Sequence, residues 1–480
     1  MTDPVVTTTS GAVRGELTAG GVARFRGIPY AAAPDGALRF AEAVAPPAWD
    51  HLRDARNPGP TAPQRRRDIP GMSLTPLLGP GWRPGSEYLT VDVWTPDPTS
   101  RKLPTLVFLH GGSFLAGTGS AEVYDGTAFA RGGAVLVTVQ SRLGIDGFLS
   151  FDDGVTNLGL RDQLEALRWV QENIEAFGGD PGNVTLFGAD SGAVSVACLL
   201  GSPLSAGLFR RAIVQSGHPD MVRDTVQVRR LTRVVAEELG TQPTAEAFRG
   251  VPSPRLLAAQ DALLRPGGAP DLRDSAGFDR GYGLSPFLPM VGDDVLPKHP
   301  AAAIRAGASA DVDLIVGTCL EEMRLYLAPT GALDEVTDEQ AVASLAVSHP
   351  DPARVLAKYG LGTAGRGAGE VLTEALTDLV FRDSARELAE NHTGRTFHYD
   401  FVWRSPFLGG RLGACHSLEL PFVFDTLALL SGPNSLLGEQ PPRELARVLN
   451  DAWCRFATSG SPGWPEYAGE ASTFRAGAGY

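Results

Sequence analysis

Residues 184–196 read VTLFGADSGAVSV, an apolar run that meets two glycines and continues in small residues. The pattern predicts a strand that passes through a sharp turn into a helix. In a G-x-S-x-G elbow the apex residue sits in a strained backbone, and small residues two places on either side let strand and helix approach. Here Gly188 and Gly192 make Asp190 the apex. Ser191 takes that place only if Ala189 and Ala193 serve as the small neighbours, and spacing leaves both readings open.

Apolar runs at 103–109, 134–139, 184–187, 212–214, 314–316 and 397–403 are short and rich in β-branched or aromatic residues, as buried strands are. Between the second and third of them, Leu160, Leu164, Leu167, Val170, Ile174 and Phe177 recur at intervals of three and four. That is one apolar face of a long helix, ended by Gly178-Gly179-Asp180-Pro181. Strands alternating with helices predict an α/β fold, a large and mainly parallel sheet flanked by helices. The alternation resumes after two Pro/Gly-rich excursions, at about 57–85 and 252–293, so the expectation is one domain over residues 1–480 with both excursions walling a cleft.

The composition is 43 % hydrophobic and 20 % charged, that of a globular chain with ample core. A formal net charge of −13 argues against nucleic acid or an anionic membrane as partner and leaves a small-molecule substrate. No basic segment followed by an apolar one opens the chain, and no window approaches the roughly 18 apolar residues of a span. The expectation is a cytoplasmic protein. Cys198, Cys319, Cys415 and Cys454 are scattered without C-x-x-C spacing, which predicts buried thiols, no metal site and no cofactor. Oligomeric state leaves no mark in the sequence.

Upstream of the elbow, and directly after a strand candidate, stands His110-Gly111-Gly112-Ser113-Phe114. Such a turn presents backbone N–H groups to a developing oxyanion, joined by the N–H of the residue after the apex, here Ser191. An acid and then a histidine should follow. Glu321 and Glu322 come after the strand candidate 314–316, and His416 lies in LGACHSLELPFVF. Order alone does not choose among the eight histidines. His218, just after VQSG, is either a pocket-wall residue or a surface-loop histidine.

Further stretches then fall in order: FRGIPYAAAP, LRF, VDVWTP, FLHGGSF, SRLGIDGFL, the 157–177 helix, VQSG, GTCLEE, LTDLVFR and LGACHSLELPFVF. From about residue 10 to about residue 460 the chain resembles the type-B carboxylesterases, an α/β-hydrolase family. The resemblance implies an enzyme with a catalytic triad of Asp190, Glu322 and His416, and oxyanion donors at Gly112, Ser113 and Ser191. Two departures cluster at this site: the family's GESAG reads GADSG, and its HGGG reads HGGS.

A carboxylate attacking an ordinary ester would form an anhydride and gain nothing over direct hydrolysis. Attack on an sp³ carbon, by opening an epoxide or displacing a halide, gives a stable alkyl ester of the aspartate. His416, oriented by Glu322, would then activate water. Three other readings remain at this level. One is acid/base catalysis without a covalent intermediate, as in a cyclase, lyase or decarboxylase. Another is ester hydrolysis through activated water or Ser191. The last is a binding protein without turnover.

Overall fold

The run 103–109 forms a strand whose alternate side chains enter two different cores. Val107 and Leu109 face one, and Leu106 and Phe108 face the other. A strand buried on both sides reads as a continuous apolar run, which belongs to the middle of a parallel sheet. The computed structural model describes residues 3–265 and 267–480.

Near the N-terminus β1 (Val5–Thr8), β2 (Gly11–Arg14) and β5 (Arg53–Asp54) form a small sheet of their own. The central sheet uses β3 (Glu16–Leu17), β4 (Ala23–Pro29), β6 (Thr90–Thr95), β7 (Leu103–Leu109) and β8 (Val135–Val139). It continues with β9 (Gly179–Ala189), β10 (Arg211–Gln215), β11 (Asp313–Cys319), β12 (Thr396–Phe401) and β13 (Phe474–Ala476). These ten strands lie in the order β13-β12-β11-β10-β9-β7-β8-β6-β4-β3. From β13 through to β8 neighbours run parallel, and β6, β4 and β3 close the other edge antiparallel.

Helices cover both faces. Leu158–Asn173 packs its predicted apolar stripe into the core shared with Val107, and a 3₁₀ turn, Ile174–Phe177, extends it to Gly178 in a left-handed conformation. The chain re-enters the sheet at once, so the Gly-Gly-Asp-Pro breaker opens β9 rather than forming a separate loop. Arg443–Ser459 covers the opposite face, against Leu106 and Phe108.

Buried ion pairs fix the connections around this frame. Arg142 and Asp162, both fully buried, meet through two parallel hydrogen bonds of 2.8 and 2.5 Å, and Asp162 also accepts from the Arg142 N–H. The Gly27 N–H and the Arg26 guanidinium both donate to Asp92, which locks the 25–34 stretch to β6. Bidentate geometry satisfies both partners and fixes their direction.

The excursion at 57–85 does line the cleft described below. The excursion at 252–293 does not, contrary to expectation. It opens as a helix, Ser253–Leu263, and then packs as a structural layer: buried Arg223 donates to the Leu272, Ser285 and Pro286 carbonyls, and Asn157 bonds Met290 on both its N–H and C=O. No helix among the described residues is long and apolar enough to cross a membrane.

Candidate active site

β9 ends at Ala189, and the helix Ser191–Leu200 starts two residues later with Asp190 between them at φ 53°, ψ −125°. A non-glycine residue in that region stores about 1–3 kcal/mol of strain. Two groups over-determine it: the Asp190 N–H donates to the Gln215 carbonyl at 3.0 Å, and the Asp190 carbonyl caps the helix by accepting from Val194 at 3.0 Å. The glycines are required by contact. A Cβ on Gly192 would lie 2.0 Å from the Leu109 carbonyl oxygen, and one on Gly188 would lie 2.5 Å from the Gly192 carbonyl carbon. Asp190 is therefore the apex, and the shifted register with Ser191 is excluded. The Ser191 side chain borders a separate small void beside Ser195 and Gln163, outside the main pocket.

After β7 the chain turns back through Gly112, Ser113 and Phe114, all with positive φ. A Cβ on Gly112 would strike the Ala116 carbonyl at 2.0 Å, so glycine is needed there for close approach. The turn directs two N–H groups at one oxygen: Gly112 and Ser113 donate to Asp190 Oδ2 at 2.7 and 2.8 Å. Ser191, the third expected donor, makes no hydrogen bond to the carboxylate. The two N–H groups of this turn are thus occupied by the protein's own side chain.

The other oxygen, Oδ1, faces His416 Nε2 at 3.6 Å, an ion-pair contact too long for a hydrogen bond. On its other side His416 Nδ1 lies 2.7 Å from Glu322 Oε2, and the His416 N–H donates to the Glu322 carbonyl at 3.1 Å. Glu322 is completely buried and held from behind by the Ser216 hydroxyl at 2.6 Å and the Cys319 N–H at 2.7 Å. The structure brings together all three expected triad residues. Ser216 lies in the quoted VQSG stretch, where only its place directly after a strand signalled it.

Burial pushes the His416 imidazole down, but the Glu322 charge, the contact with Asp190 and the Glu322 hydrogen bond outweigh it and raise His416 to about 10. Burial likewise raises the Asp190 carboxyl, yet contact with protonated His416 and the Gly112 and Ser113 N–H groups hold it at about 2. At neutral pH the pair is His⁺/Asp⁻. The Nε2–H has no hydrogen-bond partner among the described residues.

These groups open on a cavity of about 360 Å³, within the usual range for small ligands. Apolar side chains of the first excursion, Ile69, Leu74, Leu77 and Leu78, form one wall, and Leu325 and Leu420 form another. Polar groups at the cavity are few: Tyr124, Tyr326, Ser417 and the arginines and aspartate at 66–68. Tyr326 leans over His416 with ring centroids 5.7 Å apart, and Phe381 does so at 5.1 Å. His218 is buried away from the cavity beside Asp220, so it is neither pocket wall nor surface residue. All four cysteines are buried free thiols, and Cys319 donates to Glu419. No group of metal-ligating side chains occurs among the described residues.

The model of the carboxylesterase family matches residues 2–474. The chain belongs to the carboxylesterase family. Among its relatives is the para-nitrobenzyl esterase of Bacillus subtilis (strain 168), 34 % identical, with 97 % of this chain and 93 % of the relative covered. A phenmedipham hydrolase of Pseudarthrobacter oxydans is 33 % identical over 96 % of this chain and 91 % of its own. A solved carboxylesterase of Geobacillus stearothermophilus superposes with a TM-score of 0.83 at 33 % identity, covering 98 % of this chain and 96 % of that one. The expected fold is thereby established, and the chain is a carboxylesterase-family hydrolase with the α/β-hydrolase architecture.

Proposed function

We propose that this carboxylesterase-family hydrolase opens an epoxide on a small, largely apolar organic molecule, with Asp190 as nucleophile in place of the family's serine. The observation that carries the reading is the division of labour between the two Asp190 oxygens. Oδ2 rests on the Gly112 and Ser113 N–H groups, and Oδ1 is left toward the cavity and His416. Ester hydrolysis by direct water attack would need those N–H groups for the substrate carbonyl, and they are occupied.

In the first step Oδ1 attacks a ring carbon, the C–O bond breaks, and an alkyl ester of Asp190 forms. In-line displacement puts the departing oxygen on the side away from Asp190, where a proton donor on the cavity wall is required. Tyr326 is that donor. Tyr326 lines the cavity, its hydroxyl has no hydrogen-bond partner among the described residues, and burial pushes the phenol well above its ordinary value, so it stays protonated until needed. The ring oxygen takes the Tyr326 proton, and Tyr326 recovers one from His416.

That transfer sets up the second step. Once Asp190 is an uncharged ester, the anion that helped to keep His416 protonated is gone, and the neutral imidazole held by Glu322 is a competent base. It takes a proton from water as the water attacks the Asp190 carboxyl carbon. Oδ2 becomes the oxyanion and is already in place between two N–H donors. Collapse releases the diol, whose new hydroxyl takes the proton from His416. The Asp190 carboxyl then returns its own proton to the imidazole. The tyrosine wall favours an epoxide over a halide, because an epoxide oxygen must acquire a proton and a halide leaves without one.

A single turnover in ¹⁸O-water with a terminal aliphatic epoxide tests this. Label should appear in the Asp190 peptide and be absent from the first diol released. Label in the diol with none in the peptide excludes covalent attack.

A further inference from the structure

Arg65, Arg66 and Arg67 follow one another on the first excursion, and their environments differ. Arg65 reaches out to Asp261 at 2.9 Å, and Arg66 is held by Asp68 at 2.7 Å. Arg67 lines the cavity with Asp190 and Tyr326, is partly buried, and forms no ion pair or hydrogen bond among the described residues. A partly buried guanidinium without a protein partner, open to the cavity, is suited to receive an anion there. Asp190 is not that anion, since it lies beyond ion-pair distance and is already satisfied by His416, Gly112 and Ser113.

We propose that Arg67 is a specificity residue that anchors a carboxylate of the substrate, so that the enzyme acts on amphipathic monocarboxylic acids whose chain lies on the leucine-rich wall. The planar guanidinium offers parallel N–H groups matched to a carboxylate. Ile69, Leu74 and Leu77 lie a few residues along the same segment and give the hydrocarbon a surface. Burial pushes the Arg67 guanidinium below its ordinary value, but an arginine is basic enough to remain charged at neutral pH. Holding the acid end fixes which carbon of the chain meets Oδ1. The identity of the reacting group rests on the epoxide reading above; the carboxylate site does not.

Calorimetric titration with hexanoate, octanoate and their primary amides tests it, since these ligands cannot react. The acids should bind the unaltered protein at least ten times more tightly than the amides. Arg67→Met should weaken the acids by at least tenfold and leave the amides unchanged, and Arg67→Lys should fall between. Asp190→Asn should retain acid binding. Equal binding of acid and amide, no acid binding, or full acid binding by a folded Arg67→Met protein overturns the proposal. The acid–amide comparison needs no variant and decides even if Arg67→Met does not fold. Failure of the epoxide reading would register in the ¹⁸O experiment alone, with acid binding intact.

Discussion

Gly112 donates its backbone N–H to Asp190 Oδ2 at 2.7 Å, so a main-chain donor expected to serve an oxyanion is occupied by a side-chain carboxylate here. Shortening that side chain should free the donor without disturbing it. Asp190→Ser is expected to hydrolyse p-nitrophenyl butyrate at a rate well above the parent protein, because the two N–H groups, His416 and Glu322 all remain. Initial rates by absorbance measure this. A folded Asp190→Ser protein no faster than the parent would show that the surrounding groups no longer suit a serine.

Tyr326→Phe removes one hydroxyl that no described residue binds. Stability should change by less than about 0.5 kcal/mol, as for a substitution that breaks no contact. Epoxide turnover should drop about a hundredfold, the low end of what general acid catalysis contributes, with the loss in kcat rather than KM. Steady-state kinetics beside a denaturant titration separate the two. Unchanged kcat would move the proton donor elsewhere.

The elevated His416 pKa gives stability a defined pH dependence. A histidine raised from about 6.5 when unfolded to about 10 when folded contributes its full stabilisation below pH 6.5 and loses it as pH rises through 10. Asp190, lowered to about 2, contributes above its unfolded value near 4 and loses that contribution as pH falls toward 2. Glu322→Gln should therefore cost about 2 kcal/mol at pH 6, the scale of a charged hydrogen bond, and the gap to the parent should narrow toward pH 10. Urea unfolding at several pH values reads this. A constant gap would mean that His416 is neutral throughout.

Gly192→Ala introduces a Cβ 2.0 Å from the Leu109 carbonyl and 2.8 Å from that of His110. Both obstacles are backbone, so relief requires the helix Ser191–Leu200 to shift. The expected cost is about 3 kcal/mol, at the upper end for overpacking, or failure to fold. Thermal unfolding measures it. Wild-type stability would mean that helix and strand are less tightly apposed.

Most of this was legible in the sequence for local reasons. The 103–109 run is the strand Leu103–Leu109 because both faces are buried and no charged residue interrupts it. Asp190 was legible from the elbow glycines, whereas Glu322 and His416, 94 residues apart, were reached only through the family resemblance, since order alone does not choose among the histidines. The strand Ala23–Pro29, next to one edge, and the edge strand Phe474–Ala476 were not, since arginines in both break the apolar pattern. The carboxylate's position in the oxyanion site was equally hidden, because no spacing rule says where two oxygens on one carbon will point. Arg67 and Tyr326 went unnoticed among ordinary loop and helix residues, and only the cavity unites them. The excursion at 252–293 misled because proline and glycine mark irregular chain without saying which side of the molecule it covers.

The filled oxyanion position has a consequence for how such a protein would be encountered. Fluorophosphonates, boronic acids and trifluoromethyl ketones capture serine hydrolases by bonding to a free hydroxyl while their oxygen slips between the waiting N–H groups. Here the hydroxyl is missing and the slot is taken. On the proposed chemistry such a protein would pass unlabelled through a screen built on those reagents, and an inhibitor for it would be an alkylating electrophile instead.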